Sequence, residues 1–105
     1  MTANEFLLGL PEKVKPEALD GLQTVFHFDI EGEGGGQVTV VVEDGACHAQ
    51  PGLQGEPRCV VKAKEDNLMN VLKGKINPLM AVLTGKLKIS NQGEMLKYAK
   101  IFGLM

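Results

Sequence analysis

The sequence predicts an α+β domain: a five-stranded, mostly antiparallel sheet with helices covering one face. Three observations predict it. Between Gln23 and Lys64, four stretches carry the two-residue alternation or the branched and aromatic content of strands, and glycine- or proline-rich breaks separate most of them. From Asp66 onward the apolar residues recur at helical spacing instead. Between Gly74 and Ser90, one continuous run then supplies two helix boundaries and the start of a fifth strand. Strands joined by turns, followed by helices and one more strand, make a sheet layer and a helix layer.

The elements follow in order. Thr2 to Glu5 fits a capping box, in which the Thr2 hydroxyl accepts from the first turn and Glu5 reaches back, so a short helix is expected over Phe6 to Leu8, ended by Gly9 and Pro11. A second helical piece is expected from Pro16 to about Gly21, with Ala18, Leu19 and Leu22 apolar. Gln23 to Glu31 reads as a strand with Phe26, Phe28 and Ile30 toward the core and Val25, His27 and Asp29 on the other face. Gly32 to Gly36, glycine except for Glu33, is not expected to pack and reads as a hairpin loop. Gln37 to Glu43 is the second strand, burying Val38, Val40 and Val42. Asp44-Gly45 is a strong hairpin signal, so Ala46 to Gln50 should fold back as the third. After a loop from Pro51 to Pro57, Arg58 to Lys64 places Cys59, Val61 and Ala63 inward.

Asp66 is the expected N-cap of a helix carrying Leu68, Met69, Val71 and Leu72, with Gly74 just past its end. Asn77 restarts a helix as its N-cap, Pro78 sits where a missing donor costs nothing, and Gly85 stops it after about two turns. Lys86 to Ser90 alternates as a fifth strand. Gly93 to Met105 reads as an amphipathic helix with Met95, Leu96, Tyr98, Ala99, Phe102 and Met105 apolar and Lys97 and Lys100 opposite.

At 105 residues, 44% hydrophobic and 23% charged, residues 1–105 are sized for one domain with a single core. No apolar run approaches the ~20 residues of a membrane span, and no secretory signal pattern opens the chain, so a cytoplasmic protein is expected. Cys47 and Cys59 lack the spacing of a metal or redox pair and are expected as free thiols. Charge is uneven: residues 1–61 carry ten acids and three basic residues, residues 62–105 three acids and eight lysines.

Chemistry-bearing constellations are sparse. The glycine run from Gly32 has Gln37 where a dinucleotide loop needs its third glycine, and Gly74-Lys75 and Gly85-Lys86 lack the earlier glycine and following hydroxyl of a phosphate loop. Cys47 and His48 are neighbours on a strand and point to opposite faces, which opposes a shared metal. His27 is expected to be solvated or to face a partner. Lys73, Lys75, Lys86 and Lys88 suit anionic headgroups, but one Tyr, four Phe and a pI near 5.6 do not make a nucleic-acid surface. No catalysis, metal or cofactor is expected.

The run Gly74-Lys75, Asn77-Pro78, Ala81 and Gly85-Lys86-Leu87-Lys88-Ile89 resembles the signature of the sterol carrier protein type-two lipid-transfer family. The resemblance extends to Val25 through Ile30 with its following glycines, to Val38 through Val42, and to Glu43-Asp44-Gly45, covering roughly residues 16 to 100. It implies the same α+β arrangement with an apolar tunnel between the layers, and sterol, fatty-acyl or phospholipid cargo. The chain departs from the family's usual pattern at Asn67-Leu68, where an aspartate-phenylalanine pair often stands, and at Ser90 through Gly93, where a glycine-rich turn is usual. It carries no peroxisomal address at Gly103-Leu104-Met105 and resembles a free-standing bacterial member.

Strand parity, helical spacing and the resemblance together nominate a lipid-binding set. Phe26, Phe28, Val40 and Val61 come from the sheet, and Leu68, Leu72, Leu79, Met80 and Leu83 from the two central helices. Met95, Tyr98, Ala99 and Phe102 come from the last helix, expected to act as a lid hinged at Gly93. Methionines supply adaptable walls for variable apolar ligands. The expected partners are a lipid or other apolar small molecule, transient contact with an anionic membrane, and no nucleic acid. The competing reading is a structural or docking module for a partner enzyme, its core closed by its own side chains. Interior volume separates the two.

Overall fold

The alternation around Phe26 and Phe28 places β1 (Thr24–Glu31) at the middle of a five-stranded sheet in the computed structural model, which describes residues 1–103. With β2 (Gly36–Glu43), β3 (Ala46–Pro51), β4 (Cys59–Lys64) and β5 (Leu87–Ile89), the strand order is β3-β2-β1-β4-β5. The pairs β1–β2, β2–β3 and β4–β5 are antiparallel, joined in the first two cases by short turns. The β2–β3 turn has Asp44 and Gly45 both at positive φ, 51° and 74°, the geometry whose twist matches a two-residue hairpin. β4 instead lies parallel to β1, with Phe26 opposite Cys59 and Phe28 opposite Val61.

To reach that position, the chain after β3 crosses the sheet on the face away from Phe26. Two buried polar side chains of that face hold the crossing. The Thr39 hydroxyl donates to the Gly52 carbonyl (2.7 Å) and accepts from the Gln54 N–H (2.9 Å), while His27 Nε2 lies 2.8 Å from the Gln54 carbonyl. His27 is therefore buried beneath the loop. This corrects the expectation of a solvated imidazole, because strand alternation gives the face but not what covers it.

The other face carries the helices. α1 (Ala3–Leu8), α2 (Leu10–Lys13) and a 3-10 turn at Pro16–Leu19 pack on β2 and β3; α3 (Glu65–Leu72) and α5 (Gln92–Ala99) pack on β4, and α4 (Pro78–Leu83) on β5. Phe26, Phe28, Val38, Val40 and Val61 are buried beneath them, as strand parity requires. Gly74 and Gly85 both adopt φ 77° just past α3 and α4. The Asn77 Oδ1 accepts from the Leu79 N–H at 2.8 Å as the cap of α4.

Four local expectations are corrected. Pro11 lies in the first turn of α2, after Leu10, rather than ending α1, using the tolerance of a first turn for a missing donor. α3 begins at Glu65, so Asp66 lies inside its first turn and Lys64 precedes it without a side-chain cap. The last helix starts at Gln92, capped by Asn91, and ends at Ala99, with turn geometry through Gly103; Met105 lies outside the described residues.

The glycine loop does pack, because bare backbone allows close approach. The Gly34 N–H donates to Glu65 Oε1 (3.2 Å) and its carbonyl accepts from the Asn4 N–H (2.9 Å), while Glu65 Oε2 accepts from the Ala3 N–H (3.2 Å). A Cβ at Gly34 would fall on the Glu65 carboxylate.

Candidate functional site

α4 is six residues long because Asn77 and Pro78 begin it and Gly85 ends it. At about 1.5 Å per residue it is roughly 9 Å long, a short cover for β4 and β5 between the longer α3 and α5. An apolar cavity of about 230 Å³ opens there. Its floor is Val61 of β4 with Leu87 and Ile89 of β5, which share a face because Val61 pairs with Ile89 in the antiparallel register. Leu68 and Val71, three residues apart on α3, form one wall. Pro78, Leu79, Val82 and Leu83 of α4 form the second; Met95, Leu96 and Ala99 of α5 form the third, with Gln92 at its start.

Gln92 is the one polar side chain of the lining, and no titratable group lies on it. Leu79, Leu83 and Leu96, which are 61, 79 and 57% exposed, mark the mouth. Such walls favour apolar matter over charge, and none of the lining side chains titrates. Among the described residues, no group of three or more His, Cys, Asp or Glu is placed to hold a metal, and no helix is long and apolar enough to cross a membrane. Cys47 and Cys59 are free; burial pushes the Cys47 thiol up to about 11 and the Cys59 thiol upward, both away from the reactive thiolate.

Of the nominated set, Val61, Leu68, Leu79, Leu83, Met95 and Ala99 line this cavity. Phe26, Phe28, Val40, Tyr98 and Phe102 are buried but form none of its walls. Phe26 stacks on Phe28 at 5.8 Å between ring centroids and takes the edges of Tyr98 (5.7 Å) and Phe102 (5.2 Å), so the centre of the interlayer is filled by the protein's own rings. Leu72 is half-buried off the walls, and Met80 is exposed beyond them. Sequence reasoning passed over Val71, Pro78, Val82, Leu87, Ile89, Leu96 and Gln92 as lining. Val71 was legible from its helical spacing to Leu68; Leu87 and Ile89 needed the β4–β5 register.

With the sheet, the helix layer and this cavity in place, comparison with known proteins assigns the lineage. The SCP-2 sterol transfer family matches residues 3–105. The chain belongs to that family. The fold recurs in the solution structure of palmitated SCP2L2 from Aedes aegypti, at a TM-score of 0.74 and 17% identity, covering 97% of this chain and 95% of that one. It recurs in the sterol carrier protein domain 2 of Helicoverpa armigera at a TM-score of 0.69 and 20% identity, covering 93% and 80%. It is also found in the sec-alkylsulfatase Pisa1 from Pseudomonas sp., at a TM-score of 0.78 and 18% identity. There all of this chain is matched, yet it spans only 16% of the sulfatase chain. No curated protein matches the chain in sequence. At these identities the structural matches speak for the fold of this SCP-2 family member.

Proposed function

We propose that this protein binds the hydrocarbon chain of a lipid in the cavity between β4–β5 and α3–α5 and carries it without chemical change. The observation that carries the reading is the cavity itself: about 230 Å³, apolar but for Gln92, and opening through exposed leucines. A dry apolar cavity of about 150 Å³ accommodates benzene, so this one takes a segment of acyl chain or part of a ring system, leaving the polar end near the mouth. Each buried methylene contributes about 0.8 kcal/mol before ordering costs, so no charged anchor is needed and selectivity among lipids should be broad. The palmitated state of the Aedes aegypti relative fits this reading. The free thiols fit a reducing, cytoplasmic setting. Native mass spectrometry of protein purified from its host, together with titration of a fluorescent fatty acid, tests it. A co-purified lipid and saturable binding are expected; neither appearing refutes the carrier.

A docking module is the second reading, favoured by the closed aromatic core around Phe26 and by the sulfatase, where a matching unit is a small part of a longer chain. It predicts no saturable lipid binding and a partner enzyme recovered from the host.

A further inference from the structure

α4 is apolar on its outer face. A helix lying on a core normally buries one apolar stripe and shows polar residues to water. α4 buries Ala81 completely and Val82 partly, yet turns Leu79, Met80 and Leu83 outward, with Met80 53% exposed. These three fall at i, i+1 and i+4, so they form one patch, which Leu96 of α5 extends across the cavity mouth.

The chain on either side of α4 carries one sign of charge. Residues 67–93 contain no Asp or Glu and four lysines, of which Lys73 and Lys75 precede α4 and Lys86 follows it. Lys73 and Lys75 are exposed. Lys86 and Lys88 belong elsewhere: they line a cleft with Glu31, Lys62 and Lys64, and Lys88, with Leu87 and Ile89 on the cavity side, points to the opposite sheet face, paired with Lys62.

We infer that the outer face of α4 is a docking surface for an anionic lipid bilayer, with Leu79, Met80 and Leu83 entering the headgroup boundary and Lys73 and Lys75 on the phosphates. An apolar patch rimmed by lysines is the composition of an interfacial helix. A second copy on the same patch is disfavoured, because a two-fold contact would bring the lysine rims together. Only the consequence rests on the proposed carrier: the cavity mouth and the docking face coincide, so a bound chain would leave directly into the bilayer.

The test is partition of the full-length protein onto phosphatidylcholine vesicles with and without phosphatidylserine, read by co-sedimentation. The parent should bind the mixed vesicles, bind the neutral ones at least tenfold less, and be released by salt. Met80→Glu and the double variant Lys73→Glu/Lys75→Glu should each weaken binding to the mixed vesicles at least tenfold, and Met80→Ser severalfold. None of these side chains lines the cavity, so fatty-acid affinity without vesicles should stay within about twofold of the parent. A parent that binds neither vesicle, or variants that bind like the parent, overturns the inference. So does a dimer that Met80→Glu dissociates. Vesicle binding without any fatty-acid binding would leave the docking face standing and remove the carrier.

Discussion

The Thr24 hydroxyl donates to Glu94 Oε2 at 2.5 Å, fastening the start of β1 to the first turn of α5. The Asn91 side-chain amide donates to the Arg58 carbonyl (3.2 Å) and the Val60 N–H to Ser90 Oγ (2.8 Å), so the entry to α5 is tied to two strands. Its far end is held by Tyr98 and Phe102 around Phe26. This arrangement replaces the lid hinged at Gly93 with a clamped helix. Glu94→Ala strands the buried Thr24 hydroxyl and should destabilise by about 1–2 kcal/mol while leaving fatty-acid affinity near that of the parent. Urea denaturation beside a titration checks both, and an unchanged midpoint would show the bond to be idle.

Cutting the chain after Asn91 would strip Phe26 of two aromatic partners and uncover the cavity floor. Loss of the cooperative unfolding transition is expected, where a lid would have left a folded sheet. Circular dichroism through a thermal ramp distinguishes them.

Filling the cavity should abolish binding without unfolding. Val82 is half-buried on the α4 wall, and Val82→Trp adds volume where the structure has space to accept it. At least tenfold weaker fatty-acid binding is expected, with a denaturation midpoint close to the parent's. Undiminished affinity would place the ligand elsewhere.

Asn77→Ala removes the oxygen that accepts from the Leu79 N–H and should cost about 1 kcal/mol, whereas Pro78→Ala should change little. Equal chemical-denaturation midpoints for Asn77→Ala and the parent would dismiss the cap.

The cysteines give an alkaline signature. Burial raises the Cys47 thiol from 9.0 to about 11, so the folded state keeps this proton after the unfolded chain has released it. The stability associated with the neutral thiol is full below pH 9 and falls between 9 and about 11, the unfolded state then binding fewer protons. Cys47→Ala should flatten part of that decline, as followed by denaturation midpoints across the range.

The fold was legible because its signals are local. Alternation around Phe26, the Asp44-Gly45 turn, and Asn77-Pro78 bounded by Gly74 and Gly85 each act within a few residues. The parallel placement of β4 was not, since periodicity gives a strand's faces but not its neighbour. The same gap explains His27, whose cover comes from a loop that crosses the sheet. The cavity was legible in half. Val61, Leu68 and Met95 follow from periodicity, but whether an inward residue meets a neighbour or a void depends on three-dimensional spacing, and Phe26, Tyr98 and Phe102 meet one another.

The Glu65 carboxylate, which receives the Ala3 and Gly34 N–H groups, also dictates an order of events during synthesis. The β1–β2–β3 meander closes through short turns and can pair as soon as it emerges, and α1 can then dock on β2 through Asn4 and Gly34, but the Ala3 and Gly34 N–H groups find their acceptor only after residue 65 has been made. The β1–β4 pairing requires the intervening hairpins to be complete, a non-local closure that is slow compared with a turn. Until then one side of β1 is an unpaired edge, and the nascent chain is most exposed to edge-to-edge association at that stage. Pulse-labelled hydrogen exchange should find the β1–β2 amides protected before those of β4; simultaneous protection would mean that the sheet forms in one step.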